Sequence, residues 1–158
     1  MGIRATGLAV LAMLAAPCAA QAATVTAERP QSVVDALVAQ GFKGELTKDD
    51  LGDPMVKAEI GRWKALVLFD DCSAAHDGCQ SLQLVSSFDA PDKGITPQKA
   101  LEIARQIRFA AITLNADGDP TATWDVVTGA GIDDAVFGAA IKDYKIALDN
   151  LGHEVFGN

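Results

Sequence analysis

The sequence predicts an α+β domain on an antiparallel sheet, with helices flanking hairpins in the order α-β-β-β-α-β-β-α and room for a fourth strand in the first group. Three observations carry that expectation. Two stretches with apolar residues at helical spacing are opened by proline (Pro30 and Thr96-Pro97), and a third such stretch closes the chain. The segments between them tend to alternate with a period of two. Turn residues join neighbouring strands directly, without the βαβ alternation of a parallel sheet.

Pro30 to Gln40 (PQSVVDALVAQ) begins with a proline suited to the first helical position, places Val34, Leu37 and Val38 at i, i+3, i+4, and stops at Gly41. Phe42 extends the same apolar face. Gly44 to Lys48 is a short strand before the acidic turn Asp49-Asp50-Leu51-Gly52-Asp53-Pro54. Met55 to Ile60 and Trp63 to Phe69 form a hairpin around Gly61-Arg62, and the second strand (WKALVLF) is apolar enough for a central position. In Leu82 to Phe88, Leu82, Leu84, Ser86 and Phe88 share one face while Gln83, Val85 and Ser87 share the other, the pattern of a half-buried antiparallel strand. Thr96 caps the second helix, whose stripe is Ala100, Ile103, Ala104 and Ile107. At Phe109 the period changes to two, giving strands Phe109 to Leu114 and Thr121 to Val127 about an Asp117-Gly118 turn. The last helix is capped by Asp133 or Asp134, carries Phe137, Ile141, Tyr144, Leu148 and Leu151 on one face, and ends at Gly152.

The chain has 158 residues, 49% hydrophobic and 22% charged, with 13 Lys+Arg against 21 Asp+Glu. That suits one packed domain and is too apolar for a disordered chain. A net charge of −8 disfavours nucleic acid and anionic membrane surfaces, which need clustered Lys and Arg. Met1 to Ala22 has the pattern of a secretory signal: Arg4, an apolar run Gly7 to Ala16, Pro17, and the small-x-small site Ala20-Gln21-Ala22. That run is about half of the roughly 20 residues a membrane-spanning helix needs. Lipidation at Cys18 fits poorly, because Pro17 precedes it and Ala15 stands where leucine is usual. Cleavage after Ala22 leaves one domain, 23–158, and the loss of Arg4 takes its charge to −9. The destination is periplasmic or secreted.

The segment also carries away Cys18, so two cysteines remain, and an even count in an oxidising compartment reads as a Cys72–Cys79 disulfide. The loop between them is short, and chain entropy gives such a bridge on the order of 2–3 kcal/mol. Cys72, His76 and Cys79 also have the spacing of three soft metal ligands, which pairing of the thiols would forestall. Asn115, Asp117 and Asp119 alternate like the start of a calcium loop, but Gly118 and Pro120 stand in the wrong places and Val126 occupies the position of the closing glutamate. Turn chemistry explains them better, as it does Asp49, Asp50 and Asp53. Only two histidines exist, His76 in the cysteine loop and His153 beyond the last helix, and neither accompanies a nucleophile motif. No phosphate- or dinucleotide-binding glycine pattern implies a cofactor. Trp63 and Trp124 read as strand packing groups in preference to ligand-stacking ones.

In their order, several of these residues resemble the YbjN domain family of bacteria, whose members are labelled sensory transduction regulators. They are Val34, Leu37, Gly41-Phe42, Gly52-Asp53-Pro54, Val67 to Phe69, Cys72, Cys79, Leu82-Gln83, Phe88, Arg108-Phe109, Asp117-Gly118-Asp119, Trp124-Asp125 and the closing helix. The resemblance spans about Pro30 to Leu151. It departs at Ile103-Ala104, where members often carry Trp-Asn. It implies a fold similar to type III secretion chaperones, which bind partner polypeptides and often dimerise. The expected function is a non-enzymatic, exported, protein-binding regulator. The competing expectation is a divalent-cation or metal-binding periplasmic protein using the acidic turns or Cys72/His76/Cys79.

Overall fold

The computed structural model describes residues 24–91 and 94–157; the leader segment and the expected cleavage site lie outside them. In chain order the elements are β1 (Thr24–Val25), α1 (Pro30–Ala39), β2 (Lys43–Lys48), β3 (Pro54–Ile60), β4 (Trp63–Asp70), β5 (Ser81–Ser87), α2 (Pro97–Gln106), β6 (Ala111–Leu114), β7 (Pro120–Val127), β8 (Ile132–Asp133) and α3 (Asp134–Phe156). The α+β class and the run of helices and hairpins follow the sequence expectation, with four strands between α1 and α2.

A six-stranded antiparallel sheet runs β2-β3-β4-β5-β7-β6. The return from β6 to β7 places β7 beside β5, so β4 and β5 are central and β2 and β6 are edges. One face carries Val56, Ile60, Val67, Phe69, Leu82 and Leu84, all buried against Phe137, Ile141, Tyr144, Leu148 and Leu151 of α3 and Val33 and Leu37 of α1. Close helix packing is permitted by small residues paired along that face, Gly44 with Ala58, Ala58 with Ala65 and Ser86 with Ala122. Tyr144 donates its hydroxyl to the Ala122 carbonyl at 3.0 Å, and burial pushes its phenol well above the ordinary value. The unforeseen pair β1–β8 ties the start of the domain to the start of α3.

Turn chemistry accounts for the acidic clusters. The Asp49 carboxylate accepts three backbone N–H groups, from Leu51, Gly52 and Asp53, each at 2.9 Å. Asn115 does the same for Asp117 and Asp119 at 2.9 Å, and the Asp119 carboxylate receives the Ala90 N–H at 2.9 Å. Asp49 and Asn115 thus close their own turns, and Asp119 ties the β6–β7 turn to the segment that follows β5.

Four expectations need correction. The buried face of α1 is Val33, Ala36 and Leu37, one residue displaced from the predicted stripe, and Val38 is 58% exposed. The strand expected from Phe109 begins at Ala111, because Phe109 adopts a left-handed conformation (φ 70°) that turns its ring outward onto Trp124, with centroids 5.3 Å apart. Gly152 does not end α3; the helix continues to Phe156 and closes on Gly157 in the left-handed region. His153 therefore lies in the last turn of α3 and not beyond it.

Gly152 has a packing role instead. A Cβ there would lie 2.2 Å from the Trp63 ring, so the missing side chain is the slot into which that indole fits. The Trp63 indole N–H donates to Asp149 at 2.8 Å, the Lys145 ammonium reaches the same carboxylate at 2.6 Å, and the Arg62 guanidinium lies 4.5 Å over the ring. Burial alone would raise the Asp149 pKa, but these donors outweigh it and hold the carboxyl below its usual 3.8. A carboxyl depressed in the fold stabilises fully above its unfolded value and loses that contribution as pH falls through the lower folded value. Urea midpoints measured below pH 4 should therefore decline in the native protein, and Asp149→Asn should blunt that decline.

Candidate functional site

The helices cover one face of the sheet, and among the described residues no element covers the other. Register places Lys43, Glu59 and Lys64 in one row, Glu45, Lys57, Leu66, Val85, Thr123 and Ala111 in the next, and Thr47, Met55, Leu68, Gln83 and Asp125 in a third. Gly44 fixes the assignment: a Cβ on it would meet Leu37, Val34 and Val56 in the core, so Lys43 and Glu45 point the other way.

The centre of this open face is apolar, with Leu66 37% exposed and Met55, Leu68 and Val85 half-buried. Its rim is polar and internally matched. Lys43 pairs with Glu59 at 2.6 Å, the Gln83 amide donates to Asp125 at 2.8 Å, and the Ser87 and Thr121 hydroxyls are 2.9 Å apart. The Glu59 carboxylate raises the Lys43 pKa through that hydrogen bond and its charge. Over β2 to β5 the surface is concave, a groove of about 720 Å³ bounded by Lys43, Glu45, Lys57, Glu59, Lys64 and Leu66 among others. Lys43, Lys57 and Lys64 offset Glu45, Glu59 and Asp125, and Asp70 at the end of β4 leaves the face one negative charge, so a nearly neutral face sits on a chain of −8. Acid gathers at the end of the sheet instead, where burial, then Asp71, Asp125, Asp53 and Asp49, raise the Asp70 pKa.

At that acidic end the Sγ atoms of Cys72 and Cys79 lie 2.06 Å apart in the β4–β5 loop, with Cys79 buried and Cys72 half-buried. His76 is exposed, as the loop reading implies, but it is engaged: its Nδ1 is 2.8 Å from Asp53 Oδ1, so the cysteine loop and the β2–β3 turn are clasped together. The sulfurs face each other and not His76. Among the described residues no three His, Cys, Asp or Glu side chains are grouped to hold an ion, so the metal expectation gains no support from geometry. Trp63 packs against Phe88 at 5.0 Å and Phe156 at 6.4 Å, and Trp124 between Phe109 and Tyr144; both are packing groups of the core margin.

A family model described as "Putative bacterial sensory transduction regulator", YbjN, matches residues 29–156. The chain belongs to the YbjN family. The match runs from just before α1 to the end of α3, so the YbjN domain is the whole sheet with its three helices. The family description names regulation and not catalysis. No curated protein matches the chain.

The open YbjN face is the feature that the sequence reading did not single out. Its signal is WKALVLF in β4, where Ala65, Val67 and Phe69 fill the core but Leu66 and Leu68 fall on the opposite face. A strand apolar on both faces, inside a sheet whose helices cover only one, leaves apolar surface over.

Proposed function

We propose that this YbjN protein is a non-enzymatic regulatory module that holds a partner polypeptide against the open face of its sheet. The observation that carries the reading is the patch of Met55, Leu66, Leu68 and Val85 inside a rim of mixed charge. An apolar centre with a polar rim is the anatomy of protein interfaces. On an acidic chain, a nearly neutral face is also where another protein approaches with least repulsion. The reading places the protein in the periplasm or outside the cell, on the strength of the leader pattern Met1 to Ala22 and of a Cys72–Cys79 bond that an oxidising compartment would preserve.

Two variants test it. Leu66→Arg, on the open face, should abolish co-purification of the partner while leaving the melting temperature within a few degrees. Leu101→Arg, at a 55% exposed position of α2, should leave both unchanged. Equal loss from the two variants, or loss from neither, contradicts the reading.

A further inference from the structure

We propose that the free edge of β2 is the entry point of that partner, and that it accepts an extended strand, antiparallel to β2, whose alternate residues are acidic, basic and apolar. This rests on the open-face reading and deepens it by stating the chemistry of the partner segment.

The sheet has two edges and they are not equivalent. Each lies against a helix, β2 against α1 and β6 against α2, but β6 has only four residues and does not line the groove. β2 has six residues, bonds only to β3, and borders the groove of the open face. Among the described residues no strand neighbours its outer backbone groups, which makes it a template for strand addition.

The side chains of β2 state what it would select. On its paired edge Lys43 stands opposite Glu59, Glu45 opposite Lys57, and Thr47 opposite Met55. An incoming strand on the free edge meets the same Lys43, Glu45 and Thr47 series, so the β3 pattern of acid, base and apolar residue at alternate positions complements it on that side too. Lys43 can serve both neighbours, because an ammonium has three donors and Glu59 takes one. The incoming side chains then extend the rows that already run across the open face.

A second copy of β2 does not satisfy this series over the length of the strand. In the two antiparallel same-face registers of fullest overlap, pairing centred on Glu45 sets Glu45 against Glu45, and pairing centred on Leu46 sets Glu45 against Thr47. Only the register centred on Gly44 sets Lys43 against Glu45, and it pairs just the first three residues of β2, so full use of the edge favours a different chain.

The probe is a fluorescein-labelled peptide copying Pro54–Ile60, titrated by anisotropy with the mature protein. Saturable binding is expected, weakened about tenfold or more when the lysine and glutamate of the peptide are exchanged, and similarly when alternate backbone nitrogens are methylated. The protein variant Lys43→Glu/Glu45→Lys, checked for its native circular dichroism spectrum, should reverse the preference between the two peptides. No saturable binding, equal binding of both charge patterns, or indifference to N-methylation overturns the proposal. So does sedimentation showing a dimer that the double variant dissociates, which would make a second copy the occupant. Loss of the peptide preference with Leu66→Arg still abolishing capture defeats the edge proposal alone, whereas intact peptide preference with Leu66→Arg silent defeats the open-face reading.

Discussion

Gly152→Ala should lower the melting temperature by roughly 6–10 °C, a loss of about 2 kcal/mol, although alanine is the better helix former. Gly152 is buried inside α3, and a Cβ on it would stand 2.2 and 2.3 Å from two carbons of the Trp63 ring. The indole cannot swing aside without cost. Its N–H is committed to Asp149 at 2.8 Å, and its ring packs on Phe88 and Phe156. Displacing it therefore disturbs the end of α3, the β3–β4 turn and the start of β4 together. In an exposed helix interior the same substitution stabilises by about 1 kcal/mol, so the sign of the effect decides. Because the two residues act through one contact, Trp63→Leu in the Gly152→Ala background should cost less than in the native chain. Thermal melts of the four proteins check this; an unchanged or raised melting temperature for Gly152→Ala would show that Trp63 does not fill that slot.

Replacing both cysteines, Cys72→Ala/Cys79→Ala, should cost about 2–3 kcal/mol, read as a fall in the urea midpoint with little change in slope. The residue separation of the pair is 7, so the loop it closes is short and the entropic contribution lies toward the lower part of the usual range. The bond also positions His76 against Asp53, so its loss loosens the clasp between the β4–β5 loop and the β2–β3 turn. Local effects should be found there, as faster amide exchange across residues 49–53 and 71–80, and not on the helices. Mass spectrometry of protein recovered from its own compartment should give a chain beginning at Ala23 and two hydrogens lighter than the free-thiol mass. Free thiols in that material would remove the staple, and a retained leader would remove the argument for an oxidising compartment.

Much of the fold was legible because it depends on local periodicity. The α3 stripe of Phe137, Ile141, Tyr144, Leu148 and Leu151 is buried throughout, and the alternation of Leu82, Leu84, Ser86 and Phe88 marks the core face of β5 as read. The turns at Asp49 and Asn115 were legible from the preferences of their residue types. What escaped were features set by tertiary contact. Gly152 carries a stop signal in sequence, yet the indole of Trp63, far away along the chain, makes it a helix-interior residue. Val34 and Val38 satisfy the helical spacing as well as Val33 and Leu37 do, and only the packing of α1 against the sheet and α3 leaves Val33 and Leu37 fully buried, Val34 partly buried and Val38 exposed. The engagement of His76 with Asp53 joins two loops that no local pattern connects. The open face was missed for the same reason: Leu66 and Leu68 read as core until the helices are known to lie on one side of the sheet.

The claim that the open face is the working surface is tested most directly by photo-crosslinking in the native host. A photoreactive amino acid is placed at one position at a time, at Leu66 and Val85 on the open face and at Leu101 and Val136 on the helices, which are 55% and 59% exposed. The account predicts a crosslinked partner from positions 66 and 85, identified by mass spectrometry, and none from 101 and 136. A partner captured from the helical positions, with nothing from the sheet, would contradict it.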